Sequence, residues 1–561
     1  MANENLSHYE LMELKTRQSS FLVSVVIGLC LLGSQATAQS YAKYLVLLKD
    51  KAASSYSTTK PEAFLSTRSI NRRTKQGISV TTRDLPVNPN YITAIRQTGA
   101  KVWYSSRWLN AVYVETDNTT LQKILQLSFV KGIEGNHALS ASTTALSARA
   151  SATRSKFAQT VDDASYGNGI TQAKMIGASK LHNLGFQGEG MLIGVLDAGF
   201  KNVNIIPHFK PLFDENRILG TYDFVKNEKS VYEDDEHGTS VLSCMGANVI
   251  GSFIGTSPKA SFLLLRSEDA DTEYPIEEAN WLIAAEYADS VGVDLINSSL
   301  RYNEFDDEKL NYTYQNMDGK TTITARAADW AAATGIVVCI SAGNEGAKAW
   351  KYIATPADAD SVLAVGAVTS TELKASFSSF GPSADGRVKP DLMAMGQSSV
   401  VISATGTITN SSGTSFASPI LCGMAACYWQ QNPNLTAMQV IANLRKAGNR
   451  YTTPTPEYGY GIPFGTSIDT TTPVILGNEP TETHFFQVSP NPFQETITLT
   501  LANYKGKPYQ FVLMNVLGNT LWSGTLNSSS MTIPTENLQK GIYFLRVMNE
   551  EQTGIMKLVA W

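Results

Sequence analysis

The chain has 561 residues, too many for one ordinary core, and its net charge of −5 is small for that length. That balance excludes a nucleic-acid binder held by phosphate neutralisation, and 43% hydrophobic against 17% charged residues excludes a disordered chain. Five cysteines without a CxxC pair exclude a metal ribbon and a disulfide scaffold; Cys244, Cys339, Cys422 and Cys427 fall in apolar runs and read as small core residues.

Residues 1–38 read as a secretory signal peptide. Lys15 and Arg17 precede an apolar run from Phe21 to Gly33, and Ala36-Thr37-Ala38 supplies an A-x-A cleavage site. The run is too short to span a bilayer comfortably. Residues 39–150 read as a propeptide. Strands are expected at Tyr44–Leu48, Lys101–Tyr104 and Ala111–Val114, and helices at Tyr91–Thr98 and Thr119–Leu127. From Ala138 to Ser155 the chain turns to Ala, Ser and Thr with Arg149 and Arg154, the composition of a cuttable linker.

Over 165–470 short apolar strands alternate with helices. Met191–Leu196, Ser261–Leu265, Val293–Asn297, Ile336–Ile340 and Val362–Gly366 are the strands; Ile276–Ser290 and Thr324–Thr334 are helices between them. Continuous apolar strands spaced by helices imply an α/β fold whose parallel sheet is buried on both faces, with chemistry beyond the carboxyl ends of the strands. Over 484–561 strands at Ile497–Leu501, Gln510–Met514, Ile542–Val547 and Ile555–Val559 are separated by turn residues with no helix between them, the pattern of a small β-sandwich.

Gly413-Thr414-Ser415 opens an apolar helix, so Ser415 is either an N-cap or a nucleophile beside free backbone donors. A serine nucleophile needs a base and an orienting carboxylate. Of the six histidines, His237 stands before Gly238, Thr239 and Ser240 at a helix start. His182 and His208 read as solvated, and Asp234 with Asp235 as a solvated charge run. Asp197 follows the buried strand Met191–Leu196, as an Asx-turn residue or as a paired buried carboxylate. Asn344, in Ser341-Ala342-Gly343-Asn344-Glu345-Gly346, is either a turn asparagine or an oxyanion donor.

Together these stretches, with Gly255-Thr256-Ser257-Pro258, resemble the subtilisin-like serine proteases over about 165–465. The resemblance implies a subtilisin-like parallel sheet with helices on both faces. It also implies Asp197, His237 and Ser415 as a catalytic triad, with Asn344 in the oxyanion hole. Substrate would pair along Ser299-Leu300-Arg301, and no cofactor would be required for the chemistry. Two positions depart from the family: Arg301 stands where glycine is usual, and Phe416 where methionine is usual. Arg301 would narrow the groove or favour acidic substrate side chains, or else simply face solvent. Asp306, Asp307, Glu308 and Asp318, in an apparent insertion over 302–322, lack the spacing of a metal loop, and structural calcium stays open.

Residues 39–137 resemble the family's inhibitor-type propeptide by position and pattern. Val488-Ser489-Pro490-Asn491-Pro492-Phe493, Asn515-Val516-Leu517-Gly518 and Gly541-Ile542-Tyr543-Phe544-Leu545-Arg546-Val547 resemble the C-terminal sorting domain of the type IX secretion system of Bacteroidetes. The expected protein is therefore a secreted or outer-membrane-surface endopeptidase made as a zymogen. Its partners would be protein or peptide substrates, its own propeptide and the type IX secretion machinery. The alternative is a catalytically inactive subtilisin-fold surface protein that binds peptides.

Overall fold

A computed structural model describes residues 41–141, 163–463, 485–502, 504, 506–515, 520–549 and 553–560. The signal-peptide reading and most of the linker reading lie outside the described residues. The chain forms two compact units, Met1–Pro473 and Val474–Trp561.

The first unit is built on seven parallel strands. Across the sheet they run Leu392–Met395, Leu363–Val368, Val337–Ser341, Leu295–Ser298, Leu192–Asp197, Ser261–Arg266 and Ile218–Asp223. The central strands are buried along their whole length, which is why they read as unbroken apolar runs. Leu192–Asp197 comes first in sequence, yet it lies between Ser261–Arg266 and Leu295–Ser298. The chain first builds one side of the sheet and then the other, so the strand order reverses at Leu192–Asp197. A crevice opens at such a switch point, beyond the carboxyl ends of the strands.

Helices cover both faces. His237–Gly246 and Thr414–Gln431 pack on one face, with Val241, Leu242, Ile420 and Leu421 against Ile193, Val195 and Val337. Ile276–Val291 and Ile323–Ala333 pack on the other, with Trp281, Ala285 and Ala328 against Leu196, Ile296 and Val338. Four buried thiols, Cys244, Cys339, Cys422 and Cys427, are free, in keeping with their apolar neighbours.

The N-terminal part of the same unit is an antiparallel sheet in the order Lys101–Ser106, Ala111–Thr116, Ala42–Leu48, Val130–Ile133, with Ser140–Ala141 added on Ala42–Leu48. One face carries the helices Pro89–Gln97 and Asn118–Leu125 through Val46, Val112, Ile95 and Ile124. The other face sends Leu45, Trp108 and Tyr113 into the core shared with Trp281 and Leu282. The helix Thr67–Lys75 is an element the sequence reading did not contain, because its buried residues are Ser69, Arg72 and Arg73.

The second unit is a sandwich of a three-stranded and a four-stranded antiparallel sheet. Thr496–Leu501 shows why: Ile497, Leu499 and Leu501 alternate inward to meet Phe511, Leu513 and Leu545. Strands at Phe486–Ser489, Thr520–Leu526 and Ser530–Pro534 add to the four expected. No helix among the described residues is long and apolar enough to cross a membrane.

Candidate active site

Asp197 is the last residue of the strand at the switch point and is fully buried. One oxygen, Oδ1, accepts the Ala198 N–H at 2.9 Å and meets His237 Nδ1 at 2.7 Å. A carboxylate can only accept, so His237 carries its proton on Nδ1, and Nε2 is left as the acceptor when the ring is neutral. His237 is the first residue of its helix, and its backbone N–H donates to Asp235 Oδ1 at 2.7 Å. Gly238 follows because no side chain fits: a Cβ there would lie 2.3 Å from the Gly199 carbonyl oxygen and 3.0 Å from Asp197 Cβ. Burial pushes the His237 imidazolium down, but the Asp197 charge and hydrogen bond, with Asp235 and Glu268, outweigh it and raise the ring to about 9.

Ser415 is not the cap: it lies in the first turn of Thr414–Gln431, two residues beyond the N-cap Gly413. Its backbone N–H is one of those that a helix start leaves unpaired. Its hydroxyl donates to the Ser299 carbonyl at 3.4 Å, a long bond, and no hydrogen bond joins it to His237 among the described residues. Pro419 lies four residues on and has no N–H to give to the Ser415 carbonyl. That carbonyl instead accepts the Ser299 hydroxyl at 2.8 Å. Ser299 Oγ also takes Asn297 Nδ2 at 3.2 Å, and Asn297 Oδ1 takes the Ser418 hydroxyl at 2.8 Å. A buried polar chain thus sews the helix start to the segment Ser299-Leu300-Arg301, which continues beyond the strand Leu295–Ser298.

Asn344 follows the neighbouring strand Val337–Ser341. Its Oδ1 accepts both the N–H and the hydroxyl of Thr414, each at 2.9 Å. Two donors on one end fix which end is oxygen, so the NH₂ group points away from Thr414 with its protons available. Phe416 packs near His237, with ring centroids 6.2 Å apart at 40°.

The structure therefore brings Asp197 and His237 into direct contact, ties Ser415 to Ser299, and ties Asn344 to Thr414. Thr414, Asn297, Ser418 and Pro419 were not singled out from sequence; a proline inside an apolar helical run was the available signal. His182 is not a solvated residue. It is 3% exposed, held between the Tyr166 hydroxyl at 2.6 Å and the Thr256 carbonyl at 3.0 Å, and burial pushes it down to about 4. Asp234 and Asp235 are also engaged: Asp234 pairs with Lys226 and with Arg266, the latter at 3.1 Å, and Asp235 holds the His237 N–H.

Of the insertion acids, Asp318 accepts the N–H groups of Lys320 and Thr321, Asp307 that of Lys309, and Asp306 that of Glu273. Among the described residues, the acids that lie together are Glu268, Glu273 and Glu277, with oxygens within 4.8 Å of one another. Burial raises all three carboxyls, and Glu268 and Glu277 are raised further by neighbouring glutamates. Oxygen donors suit a hard cation such as calcium. Two of the three glutamates already accept protein donors: Glu277 takes the N–H groups of Asp269 and Tyr274, and Glu268 takes the Tyr302 hydroxyl.

The Subtilase family profile matches residues 188–461, the Bacteroidota peptidase S8 propeptide domain matches 43–152, and the secretion system C-terminal sorting domain matches 487–560. Subtilisin DY of Bacillus licheniformis is 32% identical over 47% of this chain and 86% of its own length. Subtilisin of Bacillus pumilus is 31% identical over 52% of this chain and 95% of its own. Serine protease AprX of Bacillus subtilis is 30% identical over 49% of this chain, which spans 65% of that relative. The solved structure of a cold adapted subtilisin-like serine proteinase matches at 25% identity with a TM-score of 0.38, over 50% of this chain and 88% of that one. Two of these relatives are matched over most of their length at 31–32% identity, and a propeptide domain and a sorting domain flank the matched stretch: the chain belongs to the subtilase family of subtilisin-like serine endopeptidases, in the form of a secreted zymogen.

Proposed function

We propose that this endopeptidase hydrolyses peptide bonds through an acyl-enzyme in which Ser415 is the nucleophile, His237 the proton carrier and Asp197 the orienter of His237. The observation that carries this reading is the 2.7 Å bond between His237 Nδ1 and buried Asp197 at the sheet's switch point. His237 Nε2 takes the Ser415 proton as Oγ attacks the scissile carbonyl, and then gives it to the leaving amine. The Ser415–His237 bond closes when substrate displaces the long bond to Ser299; such bonds are commonly loose before substrate arrives. The negative oxygen formed on the substrate is met by Asn344 Nδ2 and the Ser415 N–H. Losing a side-chain donor of this kind costs about 10²–10³ in turnover, a figure set within this same family.

Substrate lies as an added strand along Ser299-Leu300-Arg301, where main-chain pairing makes binding tolerant of sequence. The chemistry needs no metal. The precursor cuts itself within 138–165, the sorting domain hands the protein to type IX secretion machinery, and the product works outside the cell or on the outer-membrane surface. Arg72, Arg73 and Arg107 of the propeptide all pair with buried Asp289 of the peptidase domain, which supports the propeptide's role as an inhibitory partner. Labelling of the mature protein by a fluorophosphonate, lost in Ser415→Ala and His237→Ala, is the expected result. A mature protein that is not labelled and cleaves no peptide refutes the mechanism.

A further inference from the structure

Arg301 bridges the two segments that, in the mechanism proposed above, flank the substrate. The two groups that fix the scissile carbonyl sit on neighbouring walls. Ser415 is tied to Ser299 on one, and Asn344 belongs to the other. The walls continue beyond two adjacent parallel strands, Leu295–Ser298 and Val337–Ser341, paired in register with Ser298 opposite Ile340. A residue whose carbonyl carbon is at Ser415 Oγ and whose oxygen is at Asn344 Nδ2 has its side chain between these walls, flanked by Ser299–Arg301 and Ala342–Glu345.

That gap is crossed by an arginine. A Cβ built on Gly343 would lie 3.0 Å from Ser379 Oγ and 3.5 Å from Arg301 Cδ, so the stem of Arg301 packs over Gly343 beside Ser379. Gly343 has φ of +103°, a backbone shape that favours glycine. The guanidinium reaches across to Glu345, with Arg301 Nη2 2.9 Å from Glu345 Oε1, while Nη1 donates to Asn303 Oδ1. Glu345 is 1% exposed, and its second oxygen lies 3.0 Å from Lys348 Nζ. Its backbone N–H donates to Ser379 Oγ at 2.9 Å, which holds the far wall in place.

We propose that the Arg301–Glu345 bridge closes the pocket for the residue that supplies the scissile carbonyl, so that the enzyme cleaves after small uncharged residues such as alanine, glycine or serine. This rests on the triad and oxyanion reading above. A large apolar side chain has to push the guanidinium, itself a third exposed, off a buried carboxylate, which then keeps only Lys348 as its cationic partner. A basic side chain meets Arg301 and Lys348. An acidic one competes with Glu345 and Asn303 for a guanidinium that both already hold. A small side chain disturbs none of these contacts.

The test is a series of chromogenic tetrapeptides that differ only at the residue before the chromophore: alanine, phenylalanine, aspartate or lysine. It is run on the mature enzyme and on its Arg301→Gly and Arg301→Ala variants, with a separate aliquot of each checked for labelling by a fluorophosphonate. The expected wild-type result is kcat/KM for alanine at least tenfold above phenylalanine, aspartate and lysine. In any labelled variant the alanine-to-phenylalanine ratio falls at least tenfold. A wild-type preference for phenylalanine, or a labelled variant with an unchanged ratio, overturns the bridge while leaving the triad standing. A preference for aspartate also overturns it and makes Arg301 a carboxylate receptor. If neither variant is labelled, the wild-type ratios decide alone. If the wild type is neither labelled nor cleaves any peptide, the triad reading falls and the bridge with it.

Discussion

Asp289→Asn should loosen the propeptide far more than its single lost charge suggests. Asp289 projects from the Ile276–Val291 helix, is fully buried, and receives three guanidinium groups from the propeptide. Arg72 bonds to Oδ1, and Arg73 and Arg107 reach Oδ2 at 2.7 and 2.5 Å. The three arginine side chains are 3%, 2% and 8% exposed. Burial pushes the Asp289 carboxyl up, but Arg72, Arg107 and Arg73 outweigh it and hold the group below its ordinary value. With the sign worked through, the pairing is fully present above the ordinary aspartate value and is lost only as pH falls through the lowered one. At neutral pH the whole effect is therefore available to measurement. Removing one partner of a buried pair costs ~3–5 kcal/mol. Asparagine keeps the shape, and Arg72 also donates to the carbonyls of Val293 and Thr334, so the lower end applies. That is a rise of about 10²-fold in the propeptide's inhibition constant. The assay is inhibition of the mature enzyme by its excised propeptide, read with a peptide substrate. Asp294→Asn is the control, because its partner Arg68 is 41% exposed in its side chain; a pair of that kind is worth ~1 kcal/mol or less. An Asp289→Asn inhibition constant within threefold of wild type, or equal effects of the two variants, refutes the reasoning.

Two other outcomes follow from the catalytic geometry. His237 acts as a base only when neutral, and its partners raise it to about 9, so kcat/KM should climb with pH through an inflection near that value; Asp197→Asn should cut activity and move the inflection toward 6.5, and a wild-type profile flat from pH 6 to 10 contradicts the assignment. Phe416 packs near His237 with no sulfur to oxidise, so the mature enzyme should keep its activity in peroxide that inactivates Phe416→Met, as both residual-activity curves would show; equal loss in the two proteins counts against this.

The places in the fold of the residues proposed for the chemistry were legible in the sequence, and contacts that depend on a distant partner were not. Asp197, Asn344 and Ser415 stand at strand ends or helix starts that apolar periodicity already located. His182 looked like a surface residue because its polar neighbours in sequence hide its actual contacts, Tyr166 and Thr256, of which the second is 74 residues away. The helix Thr67–Lys75 carries no apolar stripe to detect. Its buried face is Ser69, Arg72 and Arg73, and that face makes sense only against Asp289. The strand Ile218–Asp223 escaped for a related reason: it is an edge strand, only partly buried, and interrupted by Gly220. The Arg301 position stood out as a departure, but whether its charge faced substrate or was already spent on Glu345 depended on a turn 44 residues later.

Pro419 shows how one sequence oddity links two functions. A proline within a helix removes a backbone hydrogen bond and costs ~3 kcal/mol where nothing compensates. Here the freed acceptor is the carbonyl of Ser415, the proposed nucleophile, and Ser299 on the proposed substrate edge fills it at 2.8 Å. The same Ser299 offers its own carbonyl to the Ser415 hydroxyl. Nucleophile and binding edge are therefore held by one reciprocal contact. Anything that shifts the edge shifts the attacking oxygen with it, and Arg301 is two residues along that edge. A substrate forced in against the Arg301–Glu345 bridge would then react slowly as well as bind weakly, because the strain of displacing the arginine is passed through Ser299 to Ser415.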